Sequence, residues 1–354
     1  MLRWMAETGF LVFVIRRIIN AFVTLILLIL LMFILVHAIY RTPLSLARLY
    51  AGPRPTMAQL EAIVHEYHLN APLYIQFVNY LIDIFRGNLG YDPIYKEPES
   101  QIILHYLPIT LSFTIPAVIL TVLIGMALGA VAASNRNKVH DYLTRAFYIF
   151  TWSSPPYFIA LLLLLIFAFW LPGLTHGMIG LPPSGYVNEL LPAPKPITGV
   201  PLIDSLIEGD WPYFTSYLQH MILPMLAVAL YSFGIYTRMA RNTMLDVLDS
   251  DYAKLGYAKG LPKRKVVYGI GLRNAMIPLV TLMVLAFALS WSGAFVAEDV
   301  FAYHGMGYIT TVAITSVDPL MIYDITFFVG VSVIIANFIA DILYGILDPR
   351  VRIS

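Results

Sequence analysis

The sequence predicts an all-α polytopic membrane protein with six transmembrane helices, and three observations carry that prediction. Hydrophobic residues fill 59% of the 354 positions while charged ones fill 12%; the mean hydropathy of +0.76 is too high for a surface that meets water on all sides. Apolar windows of membrane-crossing length recur six times along the chain. Lys and Arg alternate between rich and poor connecting segments, an unevenness hidden in the net charge of +1. There is no cysteine, which excludes disulfides, thiol nucleophiles and Cys-ligated metal.

The first span is expected at Ile18–Ile39, directly after Arg16 and Arg17. Its apolar run outlasts the roughly 7–15 residues of a signal-peptide core and ends without a small-residue cleavage site, so it reads as an uncleaved helix. Five further windows fall at Leu111–Ala132, Phe147–Trp170, Met221–Thr237, Met276–Val296 and Tyr323–Leu347. Sixteen of the 22 cations collect on one side: Arg3, Arg16, Arg17, Arg136, Lys138, Arg145, Arg238, Arg241, Lys254, Lys259, Lys263, Arg264, Lys265, Arg273, Arg350 and Arg352. The positive-inside rule makes that side, with both termini, cytoplasmic. The chain thus divides into a tail with the first helix (1–40), an external loop or subdomain (41–107), a core with five helices (108–350) and a tail (351–354).

The external loop is too long and too patterned to be a plain connector. Thr56 and Gln59 have capping-box spacing ahead of Met57, Leu60, Ile63 and Val64, which repeat at helical intervals, so a short amphipathic helix is expected there. The second external connection, 171–220, is dense in proline and reads as extended chain outside the membrane. Between the fourth and fifth spans lies a basic loop, 238–275, in which Asp249, Ser250 and Asp251 can cap a short helix that stops at Gly260. Topology alone accounts for its cations but not for its spacing.

That spacing resembles the cytoplasmic signature loop of permease subunits of ATP-binding cassette importers: Glu-Ala-Ala, three residues, Gly, nine residues, Ile, one residue, Leu-Pro. Gly260 takes the glycine position, Ile270 and Leu272 the Ile and Leu positions; Lys254, Leu255 and Gly256 stand for Glu-Ala-Ala and Arg273 for the proline. "DYAKLGYAKGL" and "LRNAMIP" are similar to the oligopeptide/dipeptide branch, as are "RGNLGYD", "LPITLSF", "AEDVFAYHGMGYI" with Glu298, Gly305 and Gly307, and the ending "NFIADILYGILDPRVR" with Asn337, Asp341, Tyr344, Asp348, Pro349 and Arg350. His304 stands where the branch has proline, and its usual "PGDP" after the first span is absent. The resemblance implies the type I importer permease fold, and half of a translocation pathway for di- or oligopeptides, with oligosaccharides or another small solute as the alternative. It implies a second homologous permease, two ATPase subunits that bind ATP and magnesium, and an external substrate-binding protein, in the plasma membrane. It assigns coupling to the ATPase to Asp251, Tyr252, Ala253, Lys254, Gly256, Ala258, Lys259, Gly260 and Arg273.

Read by residue chemistry, the chain lacks a phosphate-binding Gly-x-x-x-x-Gly-Lys-Ser/Thr loop, so it is not itself the ATPase and is expected to be a non-catalytic subunit without a cofactor of its own; no nucleic-acid partner is expected either. Ala253, Gly256, Ala258 and Gly260 offer a small surface for close approach, and Asp251, Lys254 and Lys259 can pair across an interface. Arg238 and Arg241 serve either that same interface or membrane lipid phosphate, with lipid preferred. Asn337 and Asp341 share one helix face, and a structural hydrogen bond is preferred over substrate contact. His65, Glu66 and His68 do not have metal-site spacing. Pro155 and Pro156 either shape a gate or merely kink the third span; Gly125 and Gly129 suit close helix packing. An ion-coupled secondary transporter would need midplane titratable groups and related halves, and an intramembrane hydrolase would have to use His37, the only histidine in a span. Both are disfavoured.

Overall fold

The computed structural model describes residues 2–51, 54–92, 95–316 and 318–347. Asp348, Pro349, Arg350 and the tail 351–354 lie outside the described residues, as does the side chain of Tyr344. The order is α1 (Leu2–Ile39), α2 (Pro43–Ala47), α3 (Met57–Glu66), α4 (Leu73–Phe85), β1 (Tyr91–Asp92), β2 (Glu97–Pro98), α5 (Glu99–Ser134), α6 (Val139–Ser153), α7 (Pro156–Leu164), α8 (Leu171–Leu174), α9 (Pro201–Glu208), α10 (Trp211–Leu248), α11 (Asp251–Ala258), α12 (Leu272–Val300), α13 (Met306–Thr315) and α14 (Pro319–Leu347). Wider π-type turns join α7 to α8 and lead into α12 over Lys265–Gly271.

Among the described residues five helices are long and apolar enough to cross a membrane: Val12–Ile39, Glu99–Ser134, Pro156–Leu174, Trp211–Leu248 and Pro319–Ile342. The expected fifth window, Met276–Val296, lies within the 29-residue α12. The expected third window is corrected: Phe147–Ser153 belongs to α6, and the spanning helix starts at Pro156. Pro155 forces Ser154 into an extended conformation (φ −82°, ψ 140°) and offers no N–H, so one helix stops and another begins.

The long helices pack through small residues. On α5, Gly125 faces Tyr236 and Gly129 faces Ala240 of α10; a β-carbon at Gly129 would stand 2.9 Å from the Thr237 carbonyl oxygen. Any side chain there forces the two longest core helices apart. Val118, Val122, Tyr236, Met244 and Val267 pack around this crossing, while Phe113, Tyr213, Tyr217 and Tyr303 belong to a second apolar cluster.

The loop after α1 folds, as its pattern predicts. Thr56 and Gln59 form the expected reciprocal cap on α3: the Thr56 N–H donates to Gln59 Oε1 at 2.8 Å and the Gln59 N–H to Thr56 Oγ1 at 3.3 Å. Leu60 and Val64 are buried, whereas Met57 is exposed. Two features depart from expectation. Tyr91 pairs with Pro98 and Asp92 with Glu97 in a two-residue antiparallel ladder, so the chain is not wholly α. The proline-dense connection is tied down rather than simply extended: it contains α9, the Gly185 N–H donates to the Phe301 carbonyl at 2.9 Å, and the Tyr186 ring stands against those of Tyr217 and Tyr303. Asp204 anchors its turn; although desolvation opposes this, bonds from Thr198 and the Gly199 N–H hold its carboxyl below the ordinary value.

Candidate functional site

Two sets of residues from the sequence motifs assemble into sites, one at each end of the bundle. The first is α11. Ser250 takes the extended N-cap conformation (φ −73°, ψ 158°), but its hydroxyl donates back to the Val247 carbonyl instead of capping the helix. At the other end Gly260 has φ +75°, a conformation that glycine adopts without strain. The N–H groups of Gly260 and Leu261 donate to the carbonyls of Tyr257 (2.9 Å) and Gly256 (3.1 Å), the crossed pair of bonds that closes a helix on a left-handed residue.

The segment has two faces. Ala253 and Gly256 are buried, and a β-carbon at Gly256 would meet Ile270 at 3.3 Å and Val266 at 3.5 Å. The small size of these two seats α11 on its own chain, which corrects the expectation for Ala253 and Gly256 but not for the exposed Ala258 and Gly260, and gives Ile270 of the motif a packing role. The outer face carries Asp251, Tyr252, Lys254, Leu255, Tyr257, Ala258, Lys259 and Gly260, all exposed, and Arg273 is exposed nearby on α12. Lys254 and Asp251 pair with each other at 3.2 Å, an exposed contact of little energetic weight.

Beneath α11 the basic residues have specific partners. Arg241 grips Asp141 with two bonds of 2.7 and 2.8 Å, and the Asn137 N–H adds a third at 3.0 Å. This corrects the assignment of Arg241 to lipid. The Arg241 guanidinium holds the Asp141 carboxyl below its ordinary value, against the desolvation of a fully buried side chain. Arg136 reaches Asp249 at 3.2 Å, and Lys263 donates to the Ser134 carbonyl at 2.8 Å, satisfying the C-terminal end of α5. The ends of α5, α6 and α10 are thereby fixed to the segment that presents α11.

The second site joins two motifs. Glu298, at the end of α12, is 1% exposed, and its Oε2 accepts the N–H groups of Gly305 (3.1 Å), Gly307 (2.7 Å) and Tyr308 (3.1 Å). The Thr110 hydroxyl donates to Glu298 Oε1 and accepts the Met306 N–H at 2.7 Å. Every N–H of the first turn of α13 is thus satisfied by a side chain, and a carboxylate sits at the positive end of the helix. The two glycines are required by space: a β-carbon at Gly305 would stand 2.7 Å from Glu298 Oε1, and one at Gly307 would stand 2.7 Å from the Phe295 α-carbon. Thr110 was missed as a site residue, although it is the threonine of "LPITLSF". Asp341 forms an ion pair with Arg17 of α1 at 3.1 Å, in keeping with the structural role preferred for it, and Asn337 is exposed one turn away.

Comparison with known proteins gives the family. Residues 125–353 match the family described as binding-protein-dependent transport system inner membrane component, and residues 10–114 match its membrane component N-terminal region. The chain is 35% identical over 319 residues to a probable D,D-dipeptide transport system permease of Escherichia coli K12, covering 90% of this chain and 91% of that one. It is 32% identical over 302 residues to a di/tripeptide transport system permease of Pseudomonas aeruginosa, covering 85% and 88%. An oligopeptide transport system permease of Mycobacterium tuberculosis is 30% identical over 305 residues, covering 86% and 88%. With a basic end that presents α11, a carboxylate-capped α13 at the other, and matches spanning residues 10–353, the chain belongs to the multi-pass inner-membrane permease components of binding-protein-dependent ATP-binding cassette importers.

Proposed function

We propose that this chain forms half of the translocation pathway of an ATP-driven importer of di- and oligopeptides, paired with a second, homologous permease. Two ATPase subunits bind ATP and magnesium on the cytoplasmic side, and an external binding protein delivers substrate to the loops 41–107 and 171–220. Six helices, with α12 as the fifth, cross the membrane with both termini in the cytoplasm. The observation that carries the reading is the outer face of α11, where Tyr252, Leu255 and Tyr257 stand exposed with Lys254 and Lys259 on a basic segment. An apolar, aromatic patch rimmed by charge on a rigidly seated helix suits a protein partner. In this reading Asp251, Lys254 and Lys259 meet the ATPase surface, Ala253 and Gly256 hold the helix to its own chain, and Arg273 lies at the margin. The Glu298, Gly305 and Gly307 cap keeps the external end of the fold rigid.

Peptide is preferred over oligosaccharide because the relatives' names specify dipeptide, di/tripeptide and oligopeptide transport. The test is purification of the full chain from its native membrane in mild detergent, with mass identification of what stays bound. A second permease and ATPase subunits are the expected company, with a peptide on the binding protein. A sugar on that protein would replace the substrate class alone. A chain that purifies by itself even after cross-linking would overturn the importer reading.

A further inference from the structure

Helix α4 has its polarity inverted. Its polar residues point inward: Gln76 is 9% exposed, and with Asn79 and Asp83 it lines a partly open pocket shared with His37, Tyr50 and Tyr80. Gln76 is fully engaged, accepting from His37 Nε2 through Oε1 at 3.0 Å and donating through Nε2 to the carbonyls of Leu69 (3.0 Å) and Ala71 (2.7 Å). The outward stripe is apolar. Tyr74, Val78, Ile82 and Phe85 follow one another at helical spacing and are exposed by 71%, 49%, 41% and 56%. A helix on a water-facing subdomain buries its apolar stripe and exposes its polar one; α4 does the reverse, as a helix does when its outer solvent is hydrocarbon.

The neighbouring surface identifies that solvent. Helix α4 runs down the side of α1, with Gln76 beside His37, Phe77 and Tyr80 against Phe33 at 5.4 and 6.0 Å, and Phe85 stacked on Phe22 at 6.3 Å. Here α1 is a membrane-crossing helix whose Phe22, Leu27 and Leu31 are exposed along its length, so the stripe on α4 continues the lipid-facing surface of α1. From Gln76 to Phe85 is nine residues, about 14 Å of helix and about half of the roughly 30 Å hydrocarbon core. A 13-residue apolar helix is too short to span but is of the length used by re-entrant and interfacial segments. The polar turn at Arg86 and Asn88 begins just past the stripe and sets the limit of penetration. We infer that α4 is a membrane-embedded helix, inserted beside α1 into the leaflet that adjoins the loop 41–107, with acyl chains covering Tyr74, Val78 and Ile82.

The absence of cysteine makes the test direct. Nitroxide labels are placed on Tyr74→Cys, Val78→Cys and Ile82→Cys in the full chain reconstituted in phosphatidylcholine–phosphatidylglycerol vesicles. Leu27→Cys on α1 is the hydrocarbon reference and His65→Cys on α3 the aqueous one. The expected result is a severalfold higher ratio of oxygen to nickel-chelate collisions at Val78 and Ile82 than at His65, close to that at Leu27. Nickel access equal to that at His65 would place the stripe in water and overturn the inference. Low access to both reagents would mean a protein partner covers it, which also overturns it. The Leu27 label reports on membrane spanning independently, so failure at α4 is distinguishable from failure of the permease reading.

Discussion

Glu298 shows how one residue explains three motif positions. Its carboxylate takes three backbone N–H groups and one hydroxyl in a buried site, bonds that are each worth about 1.5–3 kcal/mol when an ion is involved. Removing the carboxylate strands those donors. Glu298→Ala is therefore expected to lose on the order of 3 kcal/mol, Thr110→Val less, and Thr110→Ser least because the hydroxyl remains; thermal unfolding in detergent should rank the three in that order. Gly305→Ala should resemble Glu298→Ala in loss of stability, since the added methyl must displace the carboxylate or Thr110. If Thr110→Val were as damaging as Glu298→Ala, the carboxylate would not be the centre of the cap. The sequence displayed Glu298 and both glycines as a motif, but Thr110 lies 188 residues away in another motif, and nothing local to either announces that they meet.

At the scale of elements, the break between α6 and α7 and the seat of α11 make two separable statements. Asp141 anchors α6 to α10 through Arg241, and its carboxyl is held below the ordinary value of 3.8. A depressed carboxylate contributes stability that is fully present above its unfolded value and is lost as pH falls through the folded one. The melting temperature should accordingly fall only below about pH 4, and Asp141→Asn should lower it at neutral pH while flattening that acid limb. A wild-type acid limb left unchanged by the substitution would assign the titration to another group. For α11, Gly260 combines a left-handed backbone with open space where a side chain would project. Gly260→Asn keeps that conformation at little cost and should preserve coupled transport. Gly260→Trp adds bulk toward the proposed partner and should leave ATP hydrolysis uncoupled from transport, with insertion intact. Normal coupling in the Trp variant would place the docking face elsewhere.

Across the whole molecule, legibility followed distance along the chain. The close packing of α5 on α10 could be read from Gly125 and Gly129, because two small residues four apart lie on one helix face whatever the partner. The α3 cap could be read from Thr56 and Gln59 for the same local reason. What escaped is what needs two distant segments: the Arg241–Asp141 grip, the Arg17–Asp341 pair and the docking of Tyr186 among the tyrosines of the core. Periodicity showed that helices are amphipathic without saying which face would turn inward. In α4 the answer is the polar one, and only packing against His37 and Phe33 discloses it.

The Glu298 cap also bears on how the chain is made. Its carboxylate and the amides of α13 leave the ribosome within ten residues of one another, so they can close as a unit before the last span emerges. Thr110 has by then been waiting in α5 for most of the synthesis, with a hydroxyl turned toward a helix that does not yet exist. Joining it to Glu298 brings an early segment to a late one, and a nascent chain cut short before Gly305 keeps the threonine and the glutamate but lacks the amides that complete the cap. The cap therefore becomes possible only once the chain has been made as far as Tyr308, with α14 still to come.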